Sequence, residues 1–153
     1  MKSVWKNLLI TLWFLAGTGV AQAADPIKIG AFLTITGPAS FLGDPELKTL
    51  QLYVAALNAQ GGIQGRPVEL IHYDTGGNGR EAVNFAKRLI KKDNVDLLIG
   101  GTTSGDTLAV IPDVEREGVP FISLAAAVEI TDPTKKWVFK VAPTDRMAAA
   151  RIF

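Results

Sequence analysis

Between the apolar run Val95 to Ile99 and a stretch of helical character, the segment Gly100-Gly101-Thr102-Thr103-Ser104-Gly105-Asp106 gathers glycines and hydroxyls. A turn of this kind suits an anion, because N–H groups at a helix N-terminus lack partners and the helix dipole favours negative charge there. Two further segments, Thr34 to Gly43 (TITGPASFLG) and Ala125-Ala126-Ala127, are similarly small and neutral, and none of the three contains Lys or Arg. That composition favours a small acid or zwitterion held by hydrogen bonds over a polyphosphate. The Gly100 loop also lacks the Gly-Lys-Ser/Thr ending of a phosphate-binding loop, and Thr36 to Gly43 lacks dinucleotide glycine spacing.

Catalytic chemistry finds less support. Ser104 has no evident base, since the one histidine, His72, falls in an apolar strand as a packed or edge residue, and no Gly-x-Ser-x-Gly elbow occurs. Asp74, Asp106 and Glu129 would lie around a cleft, yet loop acids serve more often as caps or solvated charges than as catalytic pairs. With no cysteine there are no disulfides or thiolate sites, and one histidine supplies no zinc ligand set. The expectation is a binding protein, not an enzyme, with no metal and no cofactor. The plain role of Ser104 is a helix N-cap, and a cap that faces a cleft can also hold a carboxylate.

The elements that position these loops alternate strand and helix. Ile27 to Thr34 is a β-branched apolar run of the kind covered on both faces. A loop to Gly43 leads to a helix with Asp44 as expected N-cap and Pro45 at its first position, carrying Leu47, Leu50, Val54 and Leu57 on one face and stopped by Gly61-Gly62. Pro67 to Tyr73 reads as a strand, Val83, Ala86, Leu89 and Ile90 mark a helix, and Asp96 to Gly100 is the next strand. The following helix starts at Ser104 or Asp106 and runs to Glu117, with Pro112 bending it or moving its start later. Val119 to Leu124 and Trp137 to Val141 are further strands, and Pro143-Thr144-Asp145 introduces a last helix. This order predicts an α/β fold, a parallel sheet with helices on both faces, whose ligand would sit beyond the carboxyl ends of the strands.

The first residues read as an export signal: a basic start with Lys2 and Lys6, an apolar run from Leu8 to Val20, and Ala21-Gln22-Ala23 before the expected cut. The run is shorter than a spanning helix needs. Without Lys2 and Lys6 the formal net charge passes from +1 to −1, leaving no basic surplus to attract nucleic acid. Residues 24–153 then form the mature portion. Because the last helix reaches Ile152 and Phe153 without a Gly, Asn or Pro stop, this portion reads as an incomplete, truncated lobe.

Ile27-Lys28-Ile29-Gly30-Ala31, Thr36-Gly37-Pro38 through Gly43-Asp44, Leu57-Asn58-Ala59-Gln60-Gly61-Gly62-Ile63-Gln64-Gly65, Tyr73-Asp74 and Gly118-Val119-Pro120-Phe121-Ile122-Ser123 resemble the periplasmic leucine/isoleucine/valine-binding proteins of ABC transporters. The resemblance spans nearly all of the mature portion. It implies a two-lobed type I periplasmic binding fold that closes on its ligand, with this chain supplying most of the first lobe. By position it assigns Ser104 to the ligand carboxylate and the Ala125 carbonyl to the ligand ammonium. Ala127 stands where amino-acid binders usually carry a threonine; its N–H is kept for the carboxylate, and the hydroxyl that would meet the ammonium is missing. Leu42, beside Phe41, stands where an aromatic ring often packs on the ligand, and Gly77 and Thr103 occupy positions of a disulfide found in some members. Thr103 also adjoins Ser104 in the binding loop. The implied role is delivery of a carboxylate-bearing solute, an amino acid or a related organic or aromatic acid, to membrane permease subunits from the periplasm. The alternative is a sensory module of the same fold.

Overall fold

The computed structural model describes residues 25–152, so the expected signal segment, residues 1–23, lies outside the described residues. Five strands, β1 (Ile27–Leu33), β2 (Val68–Asp74), β3 (Leu97–Gly100), β4 (Phe121–Ser123) and β5 (Val138–Lys140), alternate with four helices, α1 (Ser40–Ala59), α2 (Gly79–Lys91), α3 (Ser104–Glu117) and α4 (Asp145–Ile152). A short 3-10 turn, Val128–Ile130, which the sequence reading passed over, intervenes before β5. Every pairing is parallel, in the order β2-β1-β3-β4-β5. The chain leaves β1 for β2 on one side and returns to β3 on the other, which opens a crevice at the carboxyl ends of β1 and β3. His72 is an exposed residue of the edge strand β2.

Pleating sorts the side chains of β1 to two cores. Phe32 points toward α2 and α3, where it packs with Ala82, Ala86, Leu89, Leu98, Val110, Val114 and Phe121. Ala31 and Leu33 point the other way, toward Leu47 of α1, with Leu50, Leu70, Ile99 and Leu124 partly buried around them. Asn58, at the end of α1, bonds both backbone groups of Val68, donating to its carbonyl at 2.8 Å and accepting from its N–H at 2.7 Å. That pair of bonds locks the end of α1 to the start of β2.

Helix α1 begins four residues before the expected Asp44 cap, at Ser40, so Pro45 lies inside it. The chain closes this start itself: the Ser40 N–H donates to the Gly37 carbonyl, and those of Leu42 and Gly43 donate to the Ala39 carbonyl. Asp44 instead pairs with Lys48 one turn on, at 2.6 Å. Gly43 permits the early start, since a Cβ there would lie 2.0 Å from the Thr34 carbonyl oxygen. Pro45 is on the exposed side, where water can serve the carbonyl it leaves without a donor. Pro112, also exposed, is likewise inside α3 and does not delay its start.

Candidate functional site

The loops that follow the strands end at the crevice, where Ser104 opens α3. The N-cap of α3 is Thr103, not Ser104: the Thr103 hydroxyl accepts from the Asp106 N–H at 3.1 Å. Thr107 donates its N–H to the Thr103 carbonyl. The Ser104 and Gly105 amides are then the first-turn donors that the cap does not take. As first residue of the helix, Ser104 turns its hydroxyl to the β4 loop, where Oγ accepts from the Ala127 N–H at 3.2 Å. An acceptor hydroxyl keeps its own hydrogen to give. Ser104 and Ala127, assigned to one carboxylate from sequence, are therefore in direct contact.

A buried polar layer holds this loop in place. Gly101 has a φ of +63°, and a Cβ on it would lie 2.2 Å from the Thr107 hydroxyl oxygen. The Thr107 hydroxyl donates to the Gly101 carbonyl at 2.9 Å and lies 2.9 Å from the Ser123 hydroxyl. Ser123 in turn accepts from the Ala125 N–H at 3.2 Å. Asp106 is 1% exposed, and its Oδ2 accepts from Thr34 and Thr75 hydroxyls at 3.1 and 3.0 Å. Asp74 accepts from the Ile35, Thr36 and Gly76 amides and from the Thr36 hydroxyl, the last at 2.6 Å. Burial works against the charge of Asp74, but these bonds outweigh it and hold the carboxyl below its usual range. Asp74 and Asp106 are thus structural ties within the loops, while Glu129 sits apart and exposed on the 3-10 turn.

Phe41 and Leu42 lie on the other face of the same sheet edge, in the first turn of α1, 72% and 45% exposed. With Glu46, Thr49, Leu50, Ile99 and Leu124 they line an open apolar groove of about 420 Å³. One charged group enters it. Glu46 accepts a 2.6 Å hydrogen bond from Thr102, whose oxygen also accepts from the Thr34 N–H at 3.0 Å. Burial raises the Glu46 carboxyl above its usual range, and the Thr102 bond only partly offsets that. The sequence reading missed Glu46, and it also missed Lys140 of β5, whose Nζ donates to the Ala126 carbonyl at 2.5 Å. The three loops are free of Lys and Arg, but a strand residue brings a cation to one of them. The usable signal was the strand alternation Val138, Phe139, Lys140, which sends Lys140 to the same side as the buried Val138.

Residues 26–153 match the family described as "Periplasmic binding protein". The Leu/Ile/Val-binding protein homolog 7 of Brucella abortus (strain 2308) is 36% identical over 135 residues, 88% of this chain and 34% of that protein. The branched-chain amino acid transporter substrate binding protein LivJ from Streptococcus pneumoniae, solved in complex with isoleucine, superposes with a TM-score of 0.76 at 31% identity, covering 79% of this chain and 35% of that one. A leucine binding protein, LivK, from Thermotoga maritima gives a TM-score of 0.74 at 30% identity, over 82% and 35% of the two chains. The chain spans about a third of the length of these relatives.

Proposed function

We propose, from the premise that this chain belongs to the periplasmic binding protein family, that it supplies the carboxylate-binding lobe of a solute-binding protein serving an ABC transporter. The observation that carries the reading is the Ser104 to Ala127 contact at the carboxyl ends of the strands. A ligand carboxylate arriving there would take the Ser104 hydroxyl hydrogen, the first-turn amides of α3 and the Ala127 N–H. These are neutral donors gathered at the start of α3, with the dipole of a 14-residue helix behind them; the Ala127 N–H, which donates to Ser104 Oγ in this structure, would be shared with or turned to the carboxylate. The apolar groove beside Phe41 and Leu42 would receive hydrocarbon of the same solute.

The ligand class is a small carboxylate, an amino acid or a related organic or aromatic acid. Ala127 carries no hydroxyl for an ammonium, so an acid without an α-amino group is a serious competitor to an amino acid. A second lobe would close the cleft over the solute, and membrane permease subunits would receive it from the periplasm after export and removal of residues 1–23. Calorimetric titration of the full-length protein with isoleucine and its deamino analogue tests the ligand class. Ser104→Ala should weaken whichever binds by about 1–3 kcal/mol, the range for hydrogen bonds to charged groups. Unchanged affinity in that variant would reduce Ser104 to a structural strut.

A further inference from the structure

We propose that Lys140 is a positioning residue for the carboxylate site: it clamps the Ala126–Ala127 peptide and strengthens the N–H that Ala127 presents beside Ser104. The inference rests on the carboxylate-binding reading above and names a residue outside the three loops on which that reading stands.

The Ala126 carbonyl and the Ala127 N–H belong to one planar, resonance-coupled peptide unit. At the oxygen end, the Lys140 ammonium donates at 2.5 Å and the Asp145 N–H donates at 3.2 Å. At the nitrogen end, the Ala127 N–H donates to Ser104 Oγ at 3.2 Å. The plane of this peptide is therefore fixed by three partners from three different elements: β5, the start of α4 and the start of α3. A cation on the carbonyl oxygen draws electron density through the amide and leaves its N–H a better donor, since charge-assisted bonds are stronger and linked bonds polarise one another.

Lys140 is itself held for this task. Its ammonium also lies 3.4 Å from the Pro143 carbonyl, and the side chain is half-buried. Strand pleating places it on the side of Val138, the face from which α3 rises. Ala127 lacks a side-chain hydroxyl, so its contribution to an anion is its backbone N–H, and that is the group the clamp sharpens.

The test compares wild type, Lys140→Met and Lys140→Arg in the full-length protein, labelled for amide NMR and titrated with isoleucine and 3-methylpentanoate. In Lys140→Met the Ala127 amide proton should move upfield and exchange about tenfold faster, while the core amides of Ala31, Phe32 and Leu98 keep their protection. Whichever probe binds wild type should bind Lys140→Met about tenfold more weakly. Lys140→Arg, which keeps a cationic donor, should restore both readouts. Should Lys140→Met lose core protection, Lys140→Gln takes its place with the same expectation. An Ala127 amide unchanged in the neutral variant overturns the clamp, whether or not a probe binds. A shifted amide with unchanged affinity overturns its role in binding. If neither probe binds wild type while the amide responds as expected, the clamp stands and the choice of solute class is what fails.

Discussion

The two faces of the sheet differ in how deeply they are built. Under α2 and α3, Phe32, Leu89, Leu98, Val110, Val114 and Phe121 are closed off from solvent. Under α1, the buried set is Ala31, Leu33 and Leu47. Helix α1 has 20 residues and α2 has 13, yet α1 buries Gly43 and Leu47 where α2 buries Ala82, Ala86 and Leu89. Length is therefore a poor guide to anchoring; the placement of an apolar stripe decides it. The two halves of the candidate site inherit this difference. Ser104 grows from the deep face, whereas Phe41, Leu42 and Glu46 stand on the shallow one.

The comparison can be broken most directly by truncating one large side chain on each face. Phe121→Ala should cost about 3–5 kcal/mol in denaturant unfolding and Leu50→Ala about 1 kcal/mol. Equal losses would mean that the faces are equally built. Next in size, Asp106→Ala should cost about 2–4 kcal/mol, since it strands the buried Thr34 and Thr75 hydroxyls and empties the space of a carboxyl. A loss below about 1 kcal/mol would show that this layer does not brace the deep face.

On the shallow face, Gly43→Ala should cost about 1–3 kcal/mol by forcing α1 off the Thr34 carbonyl, although alanine is the better helix former. Stabilisation by this change would show that α1 yields freely. The smallest effect is electrostatic. Glu46 has its folded pKa raised above the ordinary 4.5, so the folded state binds its proton more tightly and the carboxyl weakens folding above that raised value. The penalty is relieved as pH falls through the raised pKa toward 4.5. Glu46→Gln should remove that small rise in stability and match or slightly exceed wild type at pH 7, as measured by thermal unfolding across that window. An unaltered profile would mean that the groove does not desolvate Glu46.

Strand-by-strand alternation made the sheet readable, and each strand fell within a residue or two of its expected bounds because β-branched runs flanked by Gly and Pro leave few alternatives. The start of α1 was misplaced because Asp44-Pro45 carries a stronger local start signal than Ala39-Ser40, and the contact that overrides it, Gly43 on Thr34, is tertiary. The sequence reads Ser104 as the cap of α3, although Thr103 before it caps as well by residue type, so the one-residue error has no local signal against it. The structure separates the two by giving Thr103 the Asp106 amide and leaving Ser104 to meet Ala127. Glu46 and Lys140 escaped notice because each lies in a regular element and reaches the loops only through side-chain length.

The central strand has a temporal consequence as well. β1 precedes the other four described strands in the chain, and it sits between β2, with Ile29 against Leu70, and β3, with the same Ile29 against Leu97. Its second partner is not synthesised until some seventy residues later, and closing that span costs entropy before any pairing repays it. As the chain emerges, this seven-residue apolar strand must therefore wait half-paired, with Lys28 as the only charge in IKIGAFL to discourage sticking. β1 gains its second edge only when β3 arrives, so the arrival of β3 sets when the centre of the sheet, and the loop that leaves it at Thr34, can be fixed.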